Sequence, residues 1–201
     1  MAPFKTKKGM SNRYAAYIFD CDGTLAASMH LHHGAWEWSI NRQLDSEWAF
    51  PWDFFCTLGG MSTRETIDIL EARYHFKVDM PRFLEDYHDY LARHLDQVKP
   101  IPEVCAFARR CAASGAAMAV ASGGFRKEVH QILANIGVAE IFPVVVTMED
   151  VKRCKPDPEI FLLAAQKMGV PAEDCLVVED SPKGYDAAMA AGMQCLMVYP
   201  F

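Results

Sequence analysis

Five short runs of apolar and β-branched residues punctuate the chain: Tyr14 to Asp20, Ala116 to Ser122, Phe142 to Thr147, Asp174 to Glu179 and Gln194 to Val198. Each is nearly continuous in its apolar character, the pattern of strands covered on both faces. Between the later runs, helical spacing recurs over Val104 to Ser114, Lys127 to Ile136, Pro158 to Met168 and Lys183 to Ala191. Gly115, Gly137 and Gly169 follow three of these stretches directly, as helix stops do. Strand and helix in alternation predict right-handed crossovers and an α/β fold built on a doubly wound, parallel, five-stranded Rossmann-like sheet.

The alternation breaks once. From Ala27 to Val98 the pattern is helical, with amphipathic spacing in Thr66 to Leu70 and in Phe83-Leu84 to Tyr90-Leu91. Gly23-Thr24 and Lys99-Pro100-Ile101-Pro102 bracket this section. The expected organisation is a core domain of residues 1–26 and 99–201, with an all-helical cap of residues 27–98 inserted after the first strand. All four tryptophans (Trp36, Trp38, Trp48 and Trp52) fall in the insert. They suit a small aromatic core, or a wall that keeps water from a pocket.

Composition narrows the picture. A length of 201 residues, about half of them hydrophobic, suits one sizeable core with a modest insertion. A net charge of −6 without a long basic run argues against nucleic acid as the partner. An anionic substrate must then be attracted locally. Seven cysteines, odd in number and without a C-x-x-C pair, fit neither a disulfide framework nor a zinc ribbon. They suggest a reducing, cytoplasmic setting. The opening MAPFKTKKGMSNR is basic but lacks the apolar stretch of a signal peptide, and Met1 and Met10 are both possible starts. No apolar run reaches the ~18 residues a membrane span needs. A monomer or weak oligomer suffices for this architecture.

Ligands of open α/β sheets bind at the carboxyl ends of the strands. Those ends carry Asp20-Cys21-Asp22-Gly23-Thr24, Ser122-Gly123-Gly124 and Glu179-Asp180, with Lys155-Pro156 in the loop after the third strand. Carboxylates gathered so closely repel one another unless a cation sits among them. Oxygen donors favour a hard cation, and Mg²⁺ commonly joins one or two carboxylates to a substrate phosphate. Asp20 is placed to attack phosphorus, and Asp22 to protonate the leaving alcohol and then deprotonate water. Backbone amides around Cys21 to Gly23 can receive phosphoryl oxygens. Ser122 offers a hydroxyl and Lys155 a point charge.

These residues resemble the four motifs of the haloacid dehalogenase superfamily. Asp20-Cys21-Asp22-Gly23-Thr24-Leu25 is similar to the first motif, Ser122 to the second, Lys155-Pro156 to the third, and Glu179-Asp180-Ser181 with Gly184 to the fourth. They stand in the family's order across nearly the whole chain. The insert resembles the C1 cap of the β-phosphoglucomutase-like branch, with His32 and Trp36 similar to its H-x-x-x-W. The resemblance implies a phosphatase of small phosphorylated metabolites using Mg²⁺. By it, Asp20 and Asp180 would hold the ion by side chain and Asp22 by its carbonyl, with Glu179 a direct or water-mediated neighbour. Cys21, Gly23, Thr24, His32, Ser122, Gly123, Arg126, Lys155 and Arg64 are the candidate substrate contacts.

Several of these residues have a plainer reading beside the functional one. His32 can face the pocket or pack against Trp36, and Arg126 can grip phosphate or face solvent. The spacing of His30, His32 and His33 does not bring three imidazoles to one helix face. A dehalogenase would not need Asp22, and the insert's only lysine, Lys77, lacks a Schiff-base setting. A mutase needs a cap that grips a second phosphate. Here Gly60-Met61-Ser62 is followed by Thr63, with Arg64 one place later, a rotation of about 100° on a helix. Gly124 and Phe125 stand where that branch's mutases carry serine and lysine, and Ala27 where an aspartate is usual. Sugar-phosphate phosphatases of the fructose-1-phosphate and 6-phosphogluconate type are more similar, notably around Phe161 to Gln166. A non-catalytic binding protein would be expected to lose a motif residue, and none is lost.

Overall fold

The computed structural model describes residues 14–44, 47–59 and 61–198. Both candidate start methionines and Gly60 lie outside the described residues. Five strands, β1 (Ala16–Phe19), β2 (Ala117–Ser122), β3 (Val144–Thr147), β4 (Cys175–Glu179) and β5 (Gln194–Met197), form one parallel sheet in the order β3-β2-β1-β4-β5. Each is the trimmed centre of a run the apolar pattern marks. Phe19 stands opposite Val120 and Val178, so the residues that follow, Asp20 and Glu179, emerge side by side at the carboxyl edge. The continuous apolar runs suggest burial on both faces throughout. β1 and β4 meet that in full, whereas β5 is largely half-buried because it closes the sheet's edge.

Four helices follow β1: α1 (Met29–Leu44), α2 (Trp52–Thr57), α3 (Thr63–Tyr74) and α4 (Met80–His94). No strand occurs among the described residues between Ala27 and Val98. The chain leaves and re-enters at one place, where Ala26 bridges Pro100 and the Ala27 amide donates to the Lys99 carbonyl at 2.9 Å. Ser62 and Glu65 cap α3 reciprocally, while Asp79 and an early proline start α4. α1 packs along α4, with Trp36 4.7 Å from the Phe83 ring centre. Phe50 gathers Trp36, Trp48 and Phe55 around it. The tryptophan-rich insert thus builds an aromatic core, and Trp36 also reaches the pocket described below.

The rest of the chain supplies α5 (Pro102–Ala113), α6 (Arg126–Asn135), α7 (Glu159–Met168) and α8 (Pro182–Ala190). Alternation along β1 divides the core between them. Tyr17 and Phe19 join the cluster that holds Phe107 of α5 and Ile132 of α6, whereas Ala16 and Ile18 join Phe161 of α7 and Ala187 of α8. Burying a side chain the size of Phe19 or Phe107 contributes about 1.5–3 kcal/mol. The two layers fix the carboxyl edge on which the site is built.

Candidate active site

Asp20 leaves β1 with only 6% of its surface exposed. Lys155, equally buried, donates from Nζ to Asp20 Oδ1 at 2.7 Å and to Glu179 Oε1 at 2.6 Å. Burial alone would lower the lysine's pKa, but the charges of Asp20 and Glu179 hold it well above its usual value. Glu179 is engaged on both oxygens, since Oε2 accepts the Ser181 amide at 2.6 Å. Its space depends on Gly184, where a Cβ would fall 1.8 Å from Oε1. Asp180 accepts Thr24 Oγ1 at 2.9 Å. Gly23 beside it has φ +84° and a Cβ position 2.3 Å from Asp180 Oδ2, so only glycine suits the turn.

The second aspartate faces different partners. Asp22 Oδ1 accepts Ser28 Oγ at 2.6 Å and lies 2.8 Å from His32 Nε2, while Oδ2 accepts Ser122 Oγ at 3.4 Å. His32 Nδ1 in turn lies 2.7 Å from Tyr87 Oη on α4. Burial opposes ionisation of Asp22, but the charge and bond of His32 and the Ser28 and Ser122 hydroxyls outweigh it and lower the pKa. Burial likewise works against the imidazolium, yet Asp22 raises the His32 pKa. Asp20 moves the other way, pushed up by burial against the pull of Lys155 and helped by Glu179, Asp180 and Asp22. Burial and Glu179 raise Asp180 to about 7.

The two aspartates, His32, Ser122, Gly123, Lys155, Glu179 and Asp180 border a cavity of about 160 Å³. That is room for a phosphoryl group and a few further atoms. Gly59, Asp180 and Ser181 also border a wider groove of about 950 Å³, into which the rest of a larger ester can extend.

Residues 17–198 match the family model described as haloacid dehalogenase-like hydrolase. The chain belongs to this family. The chain is 33% identical over 197 residues to the fructose-1-phosphate phosphatase YqaB of Escherichia coli (strain K12), a match covering 94% of this chain and 98% of that protein. It is 29% identical to the phosphorylated carbohydrates phosphatase of Thermotoga maritima, over 89% of this chain and 82% of the relative. The crystal structure of CbbY from Rhodobacter sphaeroides in complex with phosphate superposes with a TM-score of 0.82 at 25% identity, covering 94% of this chain and 87% of that one. The resemblance drawn from the four motifs, and the α/β fold it implies, are borne out.

In this haloacid dehalogenase-like hydrolase the motif residues meet in one place, but not every candidate contact does. Arg64 is exposed and pairs with Asp68 one turn along α3, and Arg126 pairs with Asp150 at 2.9 Å. Neither borders the cavity among the described residues. Arg64 lies in the first turn of α3, just past the Ser62 cap, with its side chain engaged by Asp68. Arg126 opens α6 on its outer side. Thr24 is fully buried against Asp180, the Gly23 amide donates to the Ala26 carbonyl at 2.8 Å, and the Cys21 side chain is enclosed. These three shape the turn and do not line the cavity. Ser28 and Tyr87 are site residues that sequence reasoning misses. Ser28 lies six residues past Asp22, which was a usable signal, whereas nothing in the helical pattern of α4 distinguishes Tyr87 from a packing residue.

Asp20, Glu179 and Asp180 bring carboxylate oxygens within 4.8 Å of one another. All are oxygen donors, and Asp20 and Asp180 are both raised by burial and neighbouring acids, a strain that a divalent cation relieves. The set fits Mg²⁺, with Glu179 the least available because Lys155 and the Ser181 amide occupy it.

Proposed function

We propose that this hydrolase removes phosphate from a small phosphate monoester, a sugar phosphate, through an aspartyl-phosphate intermediate on Asp20. The observation that carries the reading is the pair of aspartates two residues apart in opposite environments, Asp20 against Lys155 and Asp22 against His32. Asp20 attacks phosphorus in line, the P–O bond to the alcohol breaks, and the leaving oxygen takes a proton from Asp22. Asp22 is held ionised by its neighbours, which suits the later step, deprotonation of the attacking water. For the earlier step His32 Nε2 is the adjacent proton source. Ser122 and Lys155, which border the cavity, receive phosphoryl oxygens. Asp20 and Asp180, with the Asp22 carbonyl, would hold Mg²⁺, and Glu179 would orient Lys155. The cation, when bound, shields charge on the transferring group.

Residues 27–98 act in this reading as a cap hinged at Ala26 to Ser28 and Val98 to Pro100, limiting water access when closed. The relatives named for fructose 1-phosphate and for phosphorylated carbohydrates support a sugar phosphate. Exposure of Arg64 disfavours the mutase, which needs a grip on a second phosphate. The test is phosphate release by chelated protein, with and without added Mg²⁺, from hexose, pentose and polyol phosphates. Asp20→Asn and a glucose 1-phosphate isomerisation assay with a bisphosphate primer run beside it. Mg²⁺-dependent release lost in the variant supports the reading. Isomer conversion without net release would make the protein a mutase, and no turnover of either kind would favour a binding protein.

A further inference from the structure

The contact between His32 and Tyr87 is not needed to place Tyr87. Tyr87 is already buried by packing against Phe83 and Trp36. Its hydroxyl nevertheless reaches His32 Nδ1 at 2.7 Å, on the far side of the ring from the 2.8 Å contact with Asp22. Both imidazole nitrogens are thus fixed, one by the turn after β1 and the other by α4, 55 residues further along the chain. We propose that Tyr87 is a positioning residue, holding the His32 ring so that Nε2 stays on the Asp22 carboxylate.

The hydrogen bonds carry the argument. A carboxylate oxygen accepts, so Nε2 donates to Asp22 Oδ1 and Nδ1 is left for the Tyr87 hydroxyl, which can donate or accept. The ring is thus pinned at both nitrogens between the turn after β1 and α4. Removing the hydroxyl takes away one of the two pins, and a buried ring nitrogen that loses its bond favours a rotated ring.

This inference rests on the reading of Asp22 as the group that protonates the leaving alcohol, and its test separates the two. Tyr87→Phe keeps the ring and removes only the oxygen. Alcohol release is measured in the first turnover for fructose 1-phosphate and for p-nitrophenyl phosphate, whose leaving group departs without a proton. Water attack on the shared intermediate is thereby kept out of the comparison. The expected result is a loss of about 10- to 100-fold with the sugar phosphate and less than about twofold with the aryl ester, with KM little changed. In a His32→Gln background the same substitution should have no further effect. Equal losses on both esters, or full additivity with His32→Gln, would overturn the proposal in favour of plain packing. Imidazole ¹⁵N spectra test the contact without turnover, so they stand even if the phosphatase reading fails. The His32 Nδ1 signal, assigned by its absence in His32→Gln, should shift in Tyr87→Phe, and an unmoved signal would sink the idea.

Discussion

The two aspartates sit two residues apart, yet different parts of the chain hold them. Asp20 is secured by Lys155, whose other partner is Glu179, so every group belongs to a strand end or loop of the sheet. Asp22 is secured by Ser28, His32 and, through His32, Tyr87, and only Ser122 among its partners comes from the sheet. The surroundings of Asp20 are therefore complete within the core. The surroundings of Asp22 exist only while α1 and α4 stand where they do. A chemistry needing a constant nucleophile and a proton donor present only over bound substrate would be served by that division.

The sharpest way to break the comparison is to neutralise the core side. Asp20→Asn should reduce kcat by on the order of 10⁴-fold or more, as loss of a nucleophile does. Thermal unfolding should stay near wild type or rise, since one of the crowded buried acids is gone. A large loss of stability would mean that the Lys155 bridge matters more to folding than the repulsion it offsets.

Next in size is Lys155→Met. It leaves Asp20 and Glu179 buried without their shared cation, and breaking a buried pair this way costs about 3–5 kcal/mol. Urea unfolding should show the loss, and pairing with Glu179→Gln should recover part of it. Gly184→Ala comes third, because its Cβ would occupy the place of the Glu179 carboxylate. Overpacking of this kind costs about 1–3 kcal/mol, and displacement of Glu179 should lower kcat more than it raises KM.

The same division explains what could be read from the chain alone. Groups on the core side end apolar runs, and a strand end has a fixed place on the sheet, so Asp20, Ser122, Glu179 and Asp180 are legible from pattern and spacing. Lys155 is legible by its position after β3. The cap side is not, because a helix offers several faces and tertiary packing selects one. His32 can be singled out but not oriented, Ser28 lies within reach unnoticed, and Tyr87 gives no signal until α4 is laid along α1. Thr24 is hard to place from sequence for a related reason. A polar residue in a glycine turn next to the nucleophile suits a phosphate contact, but the fold spends its hydroxyl on Asp180.

Ser28→Ala probes the cap side more gently. It removes one of two bonds to Asp22 Oδ1 and leaves His32, so a net effect near 1 kcal/mol is expected. First-turnover alcohol release from a sugar phosphate should slow by no more than about tenfold. A loss as deep as that of Asp20→Asn would show that the two sides cannot be separated.

The smallest effect is expected where a charge stands near the site in sequence but not in space. Arg64 and Arg126 are exposed, each satisfied by an acid on its own surface, Asp68 and Asp150. A phosphatase needs only one phosphate site, and on the proposed reading Lys155 and Ser122 serve it. Replacing both arginines by alanine should therefore change kcat/KM on a sugar monophosphate by less than about twofold. A mutase differs at this point, because its bisphosphate must be gripped at both ends and the cap has to supply the second cation. If the double variant lost isomerisation while keeping phosphate release, Arg64 would have to swing from Asp68 into the pocket when the cap moves. The cap side would then contribute charge as well as proton transfer. Unchanged kinetics would confine the cap's contribution to proton positioning and exclusion of water.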